Sequence, residues 1–438
     1  MKYWKNLFWI VGVLTTLHAE PPEAALNIKR RITLSLGYDE DFNSNEGMKH
    51  LPLTTIQGYS WVFDQVSKIT SGEWSRGALV AADIILHMPY LGQYFNHADS
   101  NWFFEEKWWP YLPAYHEFGH ARALRAFSTA KFKSYMMKVV GNNLQFNESS
   151  VLWYYLNSLK YMGLNYTAVT YYDSTLLNFR NHTQALAFWA GGLNNETRLS
   201  KEIADLTYRF NGHIAYFGPY LRGKISAISY TAKTMSGNFD FGGASDIEQI
   251  VAYYKKENKN FNMSHIQYGG WVGALLSSST YSFIKGYWDF IHTGDPTVKT
   301  FTWNGIRLPD LNLYFTRNGL SLEVVTGYQI NPNMWFNLGV ETVYYPRFSG
   351  MEFTPSVRYV VPTKMYGMFD FDIGLVLNTY VYLGGHVGIE WTDPVNPITL
   401  QAKVILHNAG TYLGERNITY SRATDYQTEF MLSASLNY

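Results

Sequence analysis

The chain has no cysteine among its 438 residues. That excludes disulfides and every metal site or nucleophile built on a thiolate, which leaves histidine and carboxylate as the strong metal ligands. It also has no net charge, 35 Lys plus Arg standing against 35 Asp plus Glu. Such a balance offers no electrostatic attraction for nucleic acid or an anionic membrane surface, so no nucleic-acid partner is expected. Nor is there a charge-free apolar run near twenty residues after the N-terminus. The nearest, "ALVAADIILHMPYLGQYF" and "WVGALLSSSTYSFIKGYWDF", are interrupted by polar or charged groups. No spanning helix is therefore expected there to halt the chain in a membrane during export.

What the chain does have is aromatic surface chemistry: 17 % aromatics, with 35 Tyr and 14 Trp. Side chains with an apolar body and a polar edge suit membrane interfaces, sugar binding or large interfaces. The N-terminus reads as an export signal. Lys2 and Lys5 precede "LFWIVGVLTTL", and "LHA" supplies a small residue for cleavage after Ala19. Residues 1–19 are expected to be removed as a signal peptide.

The pattern changes near residue 300. Before it, apolar residues recur at helical spacing, as in "LVAADIILHM" and "SKEIADLTYRF". After it, alternation takes over: Phe369, Phe371, Ile373, Leu375 and Leu377 oppose Asp370, Asp372, Gly374 and Asn378. Ile398, Leu400, Ala402, Val404 and Leu406 repeat the pattern. Turn signals at "RNG" (317–319), "NPN" (331–333), "VPTK" (361–364), "TDPVNP" (392–397) and "NAG" (408–410) predict about nine strands from Leu311 onward. "RRITLSLGY", Arg30 to Tyr38, alternates similarly and would be a tenth. Two architectures compete, a transmembrane barrel with its apolar face to lipid and a sandwich with its apolar faces together. Tyr344, Tyr345, Tyr380, Tyr382 and Trp391 cluster near strand ends, as barrel interfaces require. Phe430, Leu432, Ala434, Leu436 and Tyr438 keep one apolar register to an aromatic terminus. This resembles the closing strand of bacterial outer-membrane barrels.

One motif carries chemistry. "AYHEFGHARALRAF" contains His-Glu-x-x-His at His116, Glu117 and His120. Four residues apart on a helix, the two imidazoles share a face and can hold one metal ion. Glu117 stands beside them as a general base for the attacking water. Gly119 costs the helix roughly 0.8–1 kcal/mol against Ala, but lets another segment approach closely. The stretch "YHEFGHA" resembles the active-site helix of zincin metallopeptidases, including the thermolysin-like and site-2-protease-like groups.

The resemblance implies Zn²⁺ and a third ligand from later in the chain. Gluzincin members supply a Glu from a later helix, often after Asn. "WAGGLNNETRLSKEIAD" offers Glu196 after Asn195, with Glu202 as the alternative. Gly191 and Gly192 would permit tight approach to the motif helix. Ser200 stands where the thermolysin-like pattern has Asp. Asp295 in "HTGDPT" matches the site-2-protease ligand poorly, and "HARALRAFSTAKF" lacks the Gly and His of metzincins. Among "NGHIAYFGPY", His213 is the chosen oxyanion donor, with Tyr216 and Tyr220 nearby.

The expectation is an α+β chain. A signal peptide, residues 1–19, precedes a segment (20–44) with the first barrel strand, a mainly helical zincin-like domain (45–300) and an antiparallel barrel of about ten strands (301–438). The resemblance implies zinc-dependent hydrolysis of a peptide or protein substrate at the bacterial outer membrane. His116, His120 and Glu196 would bind Zn²⁺, with Glu117 and His213 catalytic. The rival is a non-catalytic outer-membrane adhesin, pore or assembly factor with an accidental or decayed motif.

Overall fold

The computed structural model describes residues 31–38, 45–87, 115–117, 119–120, 134–139, 142–147, 166–169, 182–235, 245–345, 348–363, 366–379, 383–407 and 427–437. The signal peptide and Tyr380, Tyr382 and Tyr438 lie outside the described residues. The fold is α+β. Helices α1 (Asn45–Ser67), α2 (Glu73–His87), α3 (His182–Phe210), α4 (Phe217–Met235), α5 (Asp246–Glu257), α6 (Met263–Leu275) and α7 (Ser278–Thr293) lie between the first strand of the main sheet and the rest. Small sheets, β2–β4 (Ser134–Val139, Asn142–Asn147, Tyr166–Val169) and β5–β6 (Gly212–His213, Thr297–Val298), accompany the helices.

The large sheet is antiparallel. Its long strands are β8 (Ile306–Thr316), β9 (Gly319–Asn331), β10 (Met334–Tyr345), β11 (Gly350–Thr363), β12 (Gly367–Asn378), β13 (Leu383–Thr392), β14 (Ile398–His407) and β15 (Gln427–Asn437). They are ordered as in the sequence, with turns at 317–318, 332–333 and 393–397 as the turn residues predict. The early strand β1 (Arg31–Tyr38) joins the far end of the chain, pairing with β15 from Arg31↔Asn437 to Tyr38↔Phe430.

The closed barrel is not formed. The sheet has ten strands, but it runs from β1 at one edge to β8 and the two-residue β7 (Thr302–Trp303) at the other. The reason lies on the free edge of β8, whose backbone groups are already engaged. Phe315 N–H donates to Asn194 Oδ1 at 2.8 Å, and its carbonyl accepts from Asn194 Nδ2 at 2.9 Å. Leu311 N–H donates to Ser277 Oγ at 2.9 Å, and its carbonyl accepts from Lys224 Nζ at 2.5 Å. An edge satisfied in this way has little left to offer a neighbouring strand.

The alternation sorts the strands as neither water-facing sheet nor sandwich would. Ile373 (53 % exposed), Val387, Leu400 and Leu432 (64 %) point outward, with no second sheet over them among the described residues. The opposite register is polar and buried, including Glu323, Glu341, Glu352, Arg358, Asp370 and Glu390. The second half of α3 fills that side: Lys201 Nζ pairs with Glu323 at 2.5 Å and Asp205 with Arg307 at 2.5 Å. The first half packs Leu186, Ala190 and Leu193 with Leu313, Phe315 and Leu320, from the outward register. Helix α3 thus crosses the β8 edge, at Asn194.

Candidate metal centre

Residues 115–117 and 119–120 are helical, as the motif requires. They lie directly on α3. A Cβ on Gly119 would meet the Gly191 carbonyl, and one on Gly192 would enter the His116 ring, each closer than real Cβ contacts allow. The expected reason for these glycines is therefore realised: they bring two backbones together at the motif. Asn195 Nδ2 donates to the Tyr115 carbonyl at 2.5 Å and fixes the start of the motif.

Each imidazole is oriented from behind. His120 Nδ1–H donates to the Phe188 carbonyl at 2.8 Å, and His116 Nδ1–H to Glu196 Oε1 at 3.2 Å. With the proton on Nδ1, a neutral ring presents a bare Nε2 lone pair. The two Nε2 atoms face each other at 3.0 Å. Asp246 Oδ2 stands 3.2 Å from the first and 3.1 Å from the second. Three electron-pair donors converging in a buried place need a cation among them, a proton or a metal ion. Ligands about 2.0–2.1 Å from a tetrahedral Zn²⁺ lie about 3.3–3.4 Å apart, close to this triangle. The donor set, two nitrogens and one oxygen, fits a three-ligand metal centre. His116, His120 and Asp246 could hold a metal ion.

The electrostatics agree. Burial alone would lower the His116 pKa, but Glu196 and Asp246 outweigh it and raise it well above the ordinary value. Asp246 likewise raises His120 against the effect of burial. Burial pushes both carboxylates upward, yet the imidazoles hold Asp246 and Glu196 below their ordinary values. The pocket attracts positive charge.

Asp246 carried no weight in the sequence. It opens α5 behind Ser245, whose hydroxyl accepts from Glu248 N–H at 3.2 Å while Ser245 N–H donates to Glu248 Oε2 at 2.9 Å. This capping box fixes the helix start, and the helix dipole favours a carboxylate there. The one available signal was "SDIE", which reads only as a helix beginning.

Glu196, the expected third ligand, is placed at His116 Nδ1, behind the ring. Glu117 is buried and near enough to His120 to favour its charge. Tyr230 stacks on His116 at 5.2 Å with its hydroxyl 3.4 Å from Nε2. His213 is engaged elsewhere: Nδ1 accepts from Ala215 N–H at 3.0 Å and Nε2 meets Asp64 Oδ1 at 3.2 Å. It caps the 3₁₀ turn Ile214–Tyr216. Glu202 lies on α3 within the electrostatic reach of Arg209. Tyr220 hydrogen-bonds Asp310, and Asp295 accepts from Thr297 N–H in a turn. Scans against protein-family models, curated proteins and solved structures found no match. The geometry alone carries the functional argument.

Proposed function

We propose that the chain is an exported, outer-membrane-associated zinc hydrolase acting on peptide bonds, similar in its motif to the zincins. The observation that carries this reading is the convergence of His116 Nε2, His120 Nε2 and Asp246 Oδ2, with both imidazoles held from behind. His116, His120 and Asp246 would bind the metal, and Glu196 would orient His116 and raise its basicity. When bound, zinc supplies positive charge that acidifies the attacking water and polarises the scissile carbonyl.

Glu117 takes a proton from the attacking water and returns it to the leaving amine. The Tyr230 hydroxyl, held by stacking on His116, donates to the oxygen on which negative charge develops. His213, tied to Ala215 and Asp64, is not given that role. Membrane association is supported by the sheet's two faces, apolar and exposed outside, polar and filled inside. The helix filling that interior argues against an open pore.

The test is zinc content by mass spectrometry on the detergent-purified protein and its Glu117→Gln variant. About one zinc in each, with peptidase activity lost only in the variant, supports the reading. No zinc in either after loading removes it.

A further inference from the structure

Helices α6 and α7 follow the free edge of β8 in the opposite direction. Gly269 lies against Leu313, Ser277 bonds Leu311, and Ser278 Oγ donates to the Leu308 carbonyl at 2.8 Å. Further down, Phe301 N–H donates to Ser282 Oγ at 3.1 Å. Gly269 leaves room for Leu313, whose Cδ1 a Cβ there would meet at 2.9 Å, and at Gly273 the helix runs close enough that a Cβ would be in ordinary contact with the Leu311 carbonyl at 3.6 Å. The two helices occupy the place of the next strand.

Their other side is exposed and mostly apolar, with the mutually paired Lys285 and Asp289 of α7 among its apolar side chains. Tyr268 (70 % exposed), Leu276 (63 %), Tyr281, Ile284 and Trp288 (65 %) form it. Tyr281, Ile284 and Trp288 fall at i, i+3 and i+7 on α7, one helical face. Helix α6 contains no Asp, Glu, Lys or Arg. Tyr268 shares a cleft with Tyr344, which lies at the register shift near the end of β10 and meets Gly269 beside Leu313 of the outward register. The exposed stripe therefore begins where the outward face of the sheet ends.

We propose that α6 and α7 complete the lipid-facing wall at the open edge, with the acyl chains of a bilayer as the occupant of their exposed face. The inference rests on the membrane reading of the sheet. Within hydrocarbon an open strand edge is not tolerated, and here helix side chains and the helices' own hydrogen bonding remove it. Neither helix is long and apolar enough to cross a membrane. Neither has to: the 13 and 16 residues of α6 and α7 rise about 20 and 24 Å, enough in succession to accompany an 11-residue strand.

The lack of cysteine makes the test direct. Single-cysteine variants Leu276→Cys, Ile284→Cys and Trp288→Cys, with Leu375→Cys and Leu432→Cys on the sheet and Lys259→Cys as the aqueous reference, are spin-labelled in full-length protein in phospholipid vesicles. Collision with oxygen is compared with collision with a water-soluble nickel chelate. The expected oxygen-to-nickel ratio at the helix positions matches the sheet positions and is several-fold above that at Lys259. Helix positions that behave like Lys259, while the sheet positions stay oxygen-rich, overturn the inference and leave the sheet reading intact. Nickel access at the sheet positions overturns both. Helix positions shielded from both reagents mean that protein covers this face, and the lipid assignment falls.

Discussion

Replacing Asp246 by Asn keeps the shape of the side chain and removes its charge from the group it forms with His116 and His120. Structural zinc sites bind with about 10–16 kcal/mol in total, so one of three protein ligands carries roughly 3–5 kcal/mol. Asp246→Asn is therefore expected to weaken zinc binding by about 10²–10³-fold or more. Glu196→Gln acts differently. Gln can still accept the His116 Nδ1 proton, and the loss of a supporting carboxylate behind a ligand costs about 10–100-fold. Glu117→Gln is expected to keep its zinc and lose about 10²–10⁴-fold in turnover, the range for a general base. Competition with a fluorescent chelator, run on all three variants at one pH, ranks them. If Glu196→Gln loses the metal and Asp246→Asn retains it, the triangle of donor atoms has been assigned to the wrong carboxylate.

Four further outcomes are expected. Gly192→Ala places a Cβ in the His116 ring and should cost about 1–3 kcal/mol with a loss of zinc affinity. Gly58→Ala, with open space around it in α1, should be neutral or stabilising in the same thermal melts. Zinc affinity should fall as pH falls, because metal displaces protons from two imidazoles whose pKa values are raised in the metal-free site. Chelator titrations across a pH series measure the slope, and a flat profile refutes proton displacement. His87, whose Nδ1–H donates to the Asp83 carbonyl, is held below its ordinary value of 6.5 mainly by burial. The unfolded chain then binds the proton first, so this residue's share of stability is present above pH 6.5 and declines as pH falls below it. Melting points should drop on that side, less so in His87→Gln.

Much of the architecture was legible because strand alternation is local. The register Phe369 to Leu377 and the run from Ile398 to Leu406 appear where the period-two pattern put them, and β1 lies beside β15 as an early barrel strand would. Closure was not legible, because it depends on what covers β8. Asn194 looks like any polar residue of a helix, and Ser277 like any helix start; only the fold brings them to Phe315 and Leu311. The motif and its glycines were legible, since Gly119, Gly191 and Gly192 have a local steric meaning. Asp246 was hidden for the opposite reason. Its carboxylate comes from 130 residues after His116 and sits in a sequence that any capped helix could have. His213 was singled out for its residue type, and its two ring contacts give it a capping role instead.

The site and the wall share one turn of α3. Successive residues on a helix point about 100° apart, and Asn194, Asn195 and Glu196 use three such directions for three different tasks. Asn194 seals the β8 edge through Phe315, Asn195 holds the Tyr115 carbonyl at the motif, and Glu196 holds His116. Six residues earlier, the Phe188 carbonyl receives His120. The imidazoles can take up the triangle with Asp246 only when α3 is in register with the motif. The same helix is locked to the sheet at Asn194, and its lower half is tied to Glu323 and Arg307 inside. A metal centre assembled in this way would be completed as α3 docks on the sheet, so a chain whose sheet has not formed is expected to lack the orientation that brings the three donor atoms together.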